Sequence, residues 1–454
     1  MSFSQQLNFS RKPKSVASRS TRLNIFPANG STFSPEQTIT FNLPQIARSY
    51  FNLGEAYLKL RVQNKTAIAS LQQSGYSLIN DFKISTNNGV IDHLQGFAAY
   101  HSILFDSQVD PQVYVGVGEV ALGTGGDAVM TKKGCQLAAD GTKELNLPLY
   151  HSLFGAEKCV PSDISSPLRF DIRLSSMADA LVTKADGALP GDFVIDEVSM
   201  VIPIIELSPD AEVVLSSQFP DFSIAFESLA HTQTTKSNAA TVLTEQLGMR
   251  YSSVNMITMA IREQDLMTTD GKNFNTVART TGDVTEIGYR INGQQVPQKK
   301  IQCGADNNGE VLMENLKAWG DLGSRIAPTS LQTSLRTFAE DDDAAADPTA
   351  ATHGNQFNAT NIAATINDTD AYISGLTAFK KGGTFFSSID LNTMPAISST
   401  SPLYAGVSTL GSGIQTDMKF NDYSGTGDLL FDFWVRYTAI LSIDPVSRSI
   451  FVSV

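Results

Sequence analysis

Apolar side chains recur at every second position along most of this sequence, a pattern typical of β-strands that bury one face. The longest such run predicts a single strand over residues 430–443. Its predicted buried face consists of Phe431, Phe433, Val435, Tyr437, Ala439, Leu441 and Ile443. Asp432 falls on the opposite face, where Trp434 and Ile440 indicate that this second face is also partly covered.

Shorter runs of the same kind predict further strands at 58–62, 170–174, 222–226 and 257–261. Helical spacing of apolar residues occurs in only two stretches, 94–105 and 311–338, and the second is interrupted by glycines and a proline. A parallel α/β sheet would need a helix after nearly every strand. The sequence therefore predicts an all-β protein with short helices in its loops.

The two halves of the sequence show the same features in the same order. Residues 82–91 read as a strand, an Asn-Gly turn and a second strand, residues 287–297 repeat this arrangement, and a helical stretch follows each. An Asn-Gly pair supplies the positive φ angles that a tight hairpin needs. Each half also ends alike, because the long apolar strands 193–207 and 430–443 both stop at a Pro/Asp pair. These parallels predict a duplicated domain.

The same features divide the chain into four parts. We predict a basic N-terminal arm at 1–22, a first domain at 23–207, a linker at 208–220 and a second domain at 221–454. The second domain is longer than the first by 49 residues, close to the 54 residues of the polar segment 323–376. We therefore expect this segment to be a loop insertion in the second copy.

Charge is distributed unevenly along the chain. The formal net charge is −13, yet residues 1–22 contain five basic side chains and no acidic one: Arg11, Lys12, Lys14, Arg19 and Arg22. Of 33 basic and 46 acidic residues in total, the rest of the chain therefore holds 28 and 46, a net charge of −18. Such an acidic body is a poor general partner for nucleic acid, whereas the arm could contact phosphates or anionic lipid. A solvated arm without such contacts is the alternative.

The sequence lacks the usual signatures of catalysis and cofactor binding. The glycine-rich stretch 116–126 does not link a strand to a helix, as a dinucleotide site requires, so we expect an inter-strand loop there. The five histidines lack metal-ligand spacing, although His93 and His101 would nearly share one helix face. The acidic run 340–343 lacks the spacing of a calcium loop and reads as a solvated loop tip. We predict no catalytic residue, cofactor or metal.

Signals for a compartment or a membrane are equally sparse. Cys135, Cys159 and Cys303 are odd in number and far apart, so we expect no disulfide framework and a reducing compartment. The first residues lack the apolar core of a signal peptide, and no apolar run approaches the roughly 20 residues that span a bilayer. We therefore expect neither secretion nor a membrane-spanning helix.

The opening strands resemble those of a viral protein family. Phe26–Gly30, Thr38–Leu43 and Tyr50–Val62 follow that family's phrase of an aromatic residue, a small polar residue, leucine and an alternating strand. The Asn-Gly hairpins and the strand from Tyr437 to Ile443 look similar as well. On these residues the chain resembles the double jelly-roll major capsid proteins of tailless icosahedral viruses. That lineage includes lipid-containing phages, polintons and the adenovirus hexon.

The resemblance implies two consecutive eight-stranded antiparallel jelly rolls in a structural protein that is not an enzyme. It implies homotrimers that form pseudo-hexagonal capsomers and contact neighbouring capsomers and penton or minor capsid proteins. The virion would be assembled in the host cytoplasm. Segment 323–376 would be an outward tower or a clasp between subunits. The residues expected to face inward, toward genome or an internal membrane, or to tie capsomers together, are Arg11, Lys12, Lys14, Arg19 and Arg22.

Two other functions stay open at the level of sequence. A two-domain β-sandwich could bind glycans as a lectin or adhesin, or act as a glycoside hydrolase, which predicts exposed aromatic platforms or a converging acid pair. Trp319 and Trp434 are the only tryptophans, and Trp434 falls within a predicted core strand. A minor capsid or spike protein would share the jelly-roll fold and differ from a major capsid protein in copy number.

Overall fold

Strands dominate the fold, as the alternating pattern predicts. The computed structural model describes residues 18–65, 69–109, 114–124, 133–163, 166–183, 193–218, 222–264, 276–277, 279–304, 309–319, 385–392, 406–421, 428–444 and 449–454. Within these residues, antiparallel strands form five sheets, three from the first half of the chain and two from the second. The predicted insertion 323–376 and the acidic run 340–343 lie outside the described residues.

The first half contributes strands β1 to β14 in its described parts. They are β1 Ser18–Ile25, β2 Thr32–Phe33, β3 Thr38–Asn42, β4 Ser49–Phe51, β5 Tyr57–Asn64, β6 Ala69–Gln72, β7 Ile79–Thr86, β8 Gly89–Leu94, β9 Lys133–Leu137, β10 Thr142–Pro148, β11 Val160–Pro161, β12 Arg169–Leu174, β13 Leu181–Thr183 and β14 Phe193–Leu207. One sheet has the order β10-β5-β14-β4-β11, with β1 and β2 also paired to β14. The other two sheets are β3-β12-β7-β8 and β13-β6-β9.

The second half contributes strands β15 to β24. They are β15 Phe222–Lys236, β16 Val242–Leu243, β17 Val254–Glu263, β18 Val284–Ile291, β19 Gln294–Gln302, β20 Ser387–Asp390, β21 Ile414–Thr416, β22 Met418–Phe420, β23 Leu429–Ile443 and β24 Ile450–Ser453. One sheet has the order β15-β23-β17-β20, with β24 also paired to β23. The other has the order β16-β22-β18-β19, with β21 paired to β18.

The order of the main strands is the same in both halves. β1-β14-β5-β10 corresponds to β15-β23-β17-β20, and β3-β12-β7-β8 corresponds to β16-β22-β18-β19. In each half the first strand lies antiparallel to the last long strand, with Ser18 opposite Leu207 and Phe222 opposite Ile443. The all-β double jelly-roll class is thus confirmed, and the described strands number 14 in the first half and 10 in the second, where eight were expected in each. The domain limits 23–207, 208–220 and 221–454 stay a prediction.

The core lies between facing sheets, where the alternating pattern directs its apolar side chains. Leu60 on β5 and Phe170 on β12 come from two sheets of the first half, and both are fully buried. In the second half, Phe431 on β23 meets Phe420 on β22 edge-on, with 5.6 Å between ring centroids. Burial of each such side chain contributes roughly 1.5–3 kcal/mol. The predicted buried face of the long strand 430–443 is confirmed at every position.

Four α-helices accompany the strands in the described residues. They are α1 Phe97–Gln108, α2 Met177–Ala180, α3 Pro209–Gln218 and α4 Gly309–Ala318. α1 confirms the predicted helical stretch 94–105 but begins later, because β8 extends to Leu94. α4 confirms the first part of the stretch 311–338, and the residues after Trp319 in that stretch lie outside the described ones.

Helix α3 occupies most of the predicted linker 208–220. The side chain of Ser208 accepts a hydrogen bond from the Ala211 amide at 3.3 Å. Pro209 suits the first helical position, and Asp210 and Glu212 place negative charge at the positive end of the helix dipole. The Pro/Asp pair that ends β14 therefore also begins a helix.

The two Asn-Gly hairpins differ in detail. In the second hairpin, Asn292 and Gly293 are the two loop residues, with φ angles of 51° and 80°. In the first, β7 ends at Thr86 and β8 begins at Gly89, so the two residues between them form the loop and neither has a positive φ. The predicted equivalence of the two Asn-Gly pairs is wrong at the first turn, where the glycine comes one residue too late.

Candidate functional site at the junction of the two jelly rolls

Two of the five predicted basic contact residues lie in strand β1. Arg19 and Arg22 belong to the sheet, paired through their backbones with β14, and the prediction of a separate arm up to residue 22 is therefore wrong at its end. Leu23 and Ile25 alternate with polar residues, so this segment can cover the edge of β14. Arg22 lies 5.3 Å from the Tyr57 ring centroid and hydrogen-bonds its hydroxyl. The other predicted contact residues, Arg11, Lys12 and Lys14, lie outside the described residues.

A groove of about 720 Å³ lies beside β1, lined in part by Arg22, the exposed Phe26, and a bulge of β14 at Asp196 and Glu197. Arg61 pairs with both carboxylates, at 2.8 Å from Asp196 and 2.6 Å from Glu197. The hydrogen bond from Arg61 lowers the pKa of Asp196. A glycosidase needs a carboxylic acid with a raised pKa beside a carboxylate. Here the same arginine holds both carboxylates.

Helix α1 is the centre of the contact between the two halves. Nine of its 12 residues are buried, and they occupy every side of the helix, as expected for a helix covered by protein all round. Tyr100 packs against Trp319 and Trp434 of the second half, at 6.2 and 5.9 Å between ring centroids. We use the term junction for the surface where α1 and the residues around it meet the second half.

A buried arginine joins the halves on one side of the junction. Arg279 of the second half is 2% exposed and pairs with Asp106 of α1, which is 8% exposed. Nη1 of Arg279 donates to Ser102 Oγ at 2.8 Å, and Nε donates to the Phe385 carbonyl at 3.1 Å. Gln73 also donates to Asp106, at 3.0 Å. Because both charges are buried and hydrogen-bonded, removal of one partner would leave the other uncompensated.

An aromatic cluster containing two histidines fills the other side of α1. His101 stacks on Tyr76 with 4.0 Å between centroids, and its Nδ1 lies 2.9 Å from the Tyr150 hydroxyl. His151 meets His101 edge-on at 5.0 Å and Tyr100 at 5.6 Å. Burial lowers the pKa of His101 well below its usual value. Burial, and after it the charge of Arg436, lowers the pKa of His151 to about 3. Both rings are therefore neutral at neutral pH.

A carboxylate lies in the middle of the second-half sheet, on the face that meets α1. Asp432 is fully buried and accepts hydrogen bonds from Arg262 Nε at 2.7 Å and Gln233 Nε2 at 2.9 Å. His231 Nε2 lies 2.9 Å from the same carboxylate. Burial raises the pKa of Asp432, but Arg262 and His231 outweigh it, and the pKa falls to about 2. Asp432 was predicted on the second, partly covered face, and this cluster explains how that face tolerates a charge.

Gly96 shows how closely the halves approach at this point. It precedes α1 with a φ of 62°, and a Cβ atom added there would lie 3.2 Å from the ring of His231. That ring in turn stacks on Trp434 at 5.1 Å between centroids. Both the left-handed backbone and the tight contact therefore favour glycine at this position.

The other residues considered in the sequence do not form a common site. His93 is exposed on β8 and His101 is buried in α1, so the two histidines do not share a helix face. In the described parts, no group of three or more metal-binding side chains is found, and the three cysteines are unpaired. The described part of the glycine-rich stretch is a π-helical segment, Tyr114–Leu122, with a break at Gly116, and not a plain loop.

The described helices include none that is long and apolar enough to cross a membrane.

The junction itself was missed by sequence reasoning. Arg279 follows no periodic run, and nothing in the pattern links it to Asp106, 173 residues earlier. The sequence did contain one signal for the junction, the composition of α1. Phe97, Tyr100 and Phe105 place large apolar side chains around the helix, so it lacks a continuous polar face that could contact solvent.

Comparison with known proteins connects this fold to viral shells. No protein-family model and no curated protein matches the sequence. The crystal structure of VP54 of PBCV-1, fitted into a reconstruction of the virophage Sputnik, matches with a TM-score of 0.58 and 9% identity over 98% of each chain. The Faustovirus major capsid protein has a TM-score of 0.56 and 8% identity, over 96% of this chain and 92% of that chain.

The mavirus major capsid protein matches with a TM-score of 0.53 and 10% identity, over 100% of this chain and 93% of that chain. At these identities the likeness is one of fold, and it extends through both halves and the connection between them. The repeated strand order found within the chain agrees with it. The chain therefore has the double jelly-roll fold of viral major capsid proteins.

Proposed function

We propose that this chain is a major capsid protein, the repeated structural unit of an icosahedral virus shell. The observation that carries the proposal is a duplicated jelly roll that matches viral capsid proteins over 96% to 100% of this chain. A closed shell is built from many copies of one chain that meet through few distinct contacts. Two rolls with the same strand order supply two similar building blocks per chain. Its place is then the virion, with assembly in the host cytoplasm.

The capsomer in this proposal is a homotrimer. Three chains with two rolls each bring six similar rolls around one axis, which produces a pseudo-hexagonal outline suited to tiling a surface. β1 and β15 are edge strands that pair on one side only within the described sheets, and such edges favour burial against a neighbour. Neighbouring capsomers and penton or minor capsid proteins would complete the shell.

Light scattering coupled to size-exclusion chromatography tests the trimer. The expected particle has three times the chain mass of 48.9 kDa, and negative-stain images should show a six-lobed capsomer. Monomers alone at high protein concentration, with no capsomer in the images, would contradict the proposal. Copy number in purified particles separates a major capsid protein from a minor capsid or spike protein.

The basic segment is proposed to face the interior of the shell. Arg11, Lys12 and Lys14 would contact genome phosphates or anionic lipid, and Arg19 and Arg22 extend the same charge into β1. Replacing Arg11, Lys12 and Lys14 by glutamine should leave capsomers intact and reduce co-sedimentation with DNA or with anionic vesicles, whichever is the natural partner. A control replaces three other surface cations, Lys65, Arg169 and Lys419. Equal binding by both variants would contradict this role.

The proposal assigns the chain no catalysis, and the glycan-binding alternative has little support. Trp319 and Trp434 are 7% and 1% exposed, so neither can serve as a sugar platform. Asp196 and Glu197, the acid pair beside the groove, are both bound to Arg61. Measurable glycan binding or hydrolysis by purified chain would reopen this alternative.

A further inference from the structure

Three of the chain's five histidines lie at the junction. His101 is buried in the aromatic cluster, and His151 is half-buried there with its Nε2 shielded from solvent. His101 and His151 face each other at 5.0 Å between ring centroids. Nε2 of each ring has no hydrogen-bond partner among the described residues. A proton added to either ring would therefore place a positive charge among aromatic rings, 5.0 Å from a second titratable ring.

We propose that His101 and His151 form an acid-sensitive switch that opens the junction between the two jelly rolls when the rings take up protons. The switch is a property of the chain's own conformation. Its use in loosening a virus shell in an acidic compartment rests on the proposed capsid function, but the switch itself does not.

Among the described residues, the groups that pack against His101 carry no negative charge. Tyr76 stacks on one side of the ring, and Tyr150 shares a hydrogen bond with Nδ1. Phe97 and Phe105, from the same helix, pack at 4.3 and 6.4 Å between centroids. In the charged ring both nitrogens are donors. The Tyr150 hydroxyl can accept from Nδ1, but Nε2 has no acceptor among the described residues.

The groups that face His151 oppose its charge more strongly. Tyr100 and Tyr150 pack against its ring, and Arg436 of β23 approaches it from the second half. Arg436 is paired at 3.7 Å with Glu227, whose side chain is 55% exposed, so the pair is partly screened by water. A charged His151 would thus repel a cation that belongs to the other roll.

The position of these groups decides which contact opens. On one side, His101 continues into the first-half core through Tyr76 and Phe105. On the other side, Tyr100 packs against Trp319 and Trp434 of the second half, and Arg436 lies 5.9 Å from the Trp319 ring centroid. Separation at the tryptophans would hydrate the rings and relieve the repulsion by Arg436, with little loss of first-half packing.

The direction of the pH effect follows from proton binding. Burial lowers the pKa of both rings in the closed junction, whereas an open junction restores a value of about 6.5. The open form therefore binds more protons below about pH 6.5. The equilibrium constant for opening then rises about tenfold for each histidine when the pH falls by one unit. When both rings take part, the equilibrium constant rises about a hundredfold for each unit by which the pH falls. The contribution of His151 ends when the pH reaches about 3, its pKa in the closed junction. Neutral pH favours the closed junction.

The two tryptophans make the opening measurable. Trp319 and Trp434 are the only tryptophans in the chain, and both are buried at the junction. Tryptophan emission and far-ultraviolet circular dichroism of the full chain are recorded from about pH 7 to about pH 3. We expect emission to move to longer wavelength while the β-sheet signal persists, with close to two protons bound per opening event. Unchanged emission, loss of the sheets at the same pH, or uptake of less than one proton overturns the switch.

A variant test identifies the rings responsible. The double variant His101→Gln with His151→Gln should shift the emission midpoint at least about one pH unit lower. The control His93→Gln removes an exposed histidine on β8 and should leave the midpoint unchanged. A double variant with the wild-type midpoint overturns the switch, and if that variant fails to fold, the proton count of the wild type decides. A monomeric chain that still shows the transition would refute the capsomer and keep the switch.

Discussion

Each half of the molecule pairs an aspartate on its last long strand with an arginine on the neighbouring strand, yet the two pairs lie in opposite environments. Asp196 on β14 accepts two hydrogen bonds from Arg61 on β5, both at 2.8 Å, and its side chain is 24% exposed. Asp432 on β23 is bound by Arg262 on β17, and its side chain is fully buried. The same strand order therefore carries the same ion pair, once in contact with solvent and once without it.

The difference arises from what covers each sheet. The face of β23 that carries Asp432 also carries Trp434, which packs on Tyr100 of α1. The corresponding face of β14 lies at the open groove beside Phe26. Burial removes the hydration of a charge, so the second pair needs His231 and Gln233 in addition to its arginine. The two halves share their strand order, but the junction buries only the second ion pair. The two ion pairs therefore contribute differently to stability.

The largest expected effect comes from breaking the buried pair. Arg262→Met should lower the free energy of unfolding by about 3–5 kcal/mol, because Asp432 would remain buried without its main counter-charge. Urea denaturation measures this loss. Arg61→Met is the matched control, and we expect a much smaller change, since water and salt screen the exposed pair. Equal losses in the two variants would refute the unequal energetics of the two halves.

The second largest effect is the pH dependence of the stability that the buried pair contributes. The folded-state pKa of Asp432 is about 2, below the unfolded value of 3.8, so its stabilisation is complete above pH 3.8 and lost as the pH falls through about 2. The stability difference between wild type and Asp432→Asn should therefore shrink by about 2 kcal/mol from pH 5 to pH 2. Urea denaturation at a series of pH values measures it. A difference independent of pH would show that Asp432 is not ionised in the folded chain.

The two hairpins allow a smaller test of the comparison. Gly293→Ala should cost about 1 kcal/mol, because φ at Gly293 is 80° and no atom lies within 4 Å of the added Cβ, so backbone strain alone acts. Asn88→Ala, in the first hairpin, should cost less, since the residue has a negative φ. Thermal unfolding measures both variants. A larger loss at Asn88 would indicate that the first turn also depends on its Asn-Gly pair.

The smallest expected effect is the salt dependence of the exposed pair. Asp196→Asn should reduce stability slightly at low ionic strength, and the reduction should vanish at high salt. Asp432→Asn should show a loss that changes little with salt, because ions do not enter the buried site. Urea titrations at about 0.05 M and about 1 M sodium chloride compare the two. If the loss of stability in Asp196→Asn did not depend on salt, the pair with Arg61 would stabilise the fold through its hydrogen bonds and packing and not through its charges.

Much of the fold could be predicted because it depends on local periodicity. Residues 193–207 form one strand as predicted, and 429–443 extend the predicted strand by a single residue, since a period of two decides which side of a sheet each residue joins. Helix α3 was missed although Ser208, Pro209 and Asp210 form a recognisable helix start. There the proline was read only as the end of a strand. That error was one of interpretation, because the signal is present in the sequence.

The sequence by itself determined the strands, their buried faces and the internal repeat, because each depends on residues a few positions apart. Only the tertiary structure decided that Arg279 meets Asp106, that Asp432 is buried and that His101 and His151 share one aromatic cluster. These contacts join residues from distant parts of the chain, and no periodicity connects their positions. Their energetics follow from burial at the junction, which exists only once both jelly rolls have formed and packed on α1.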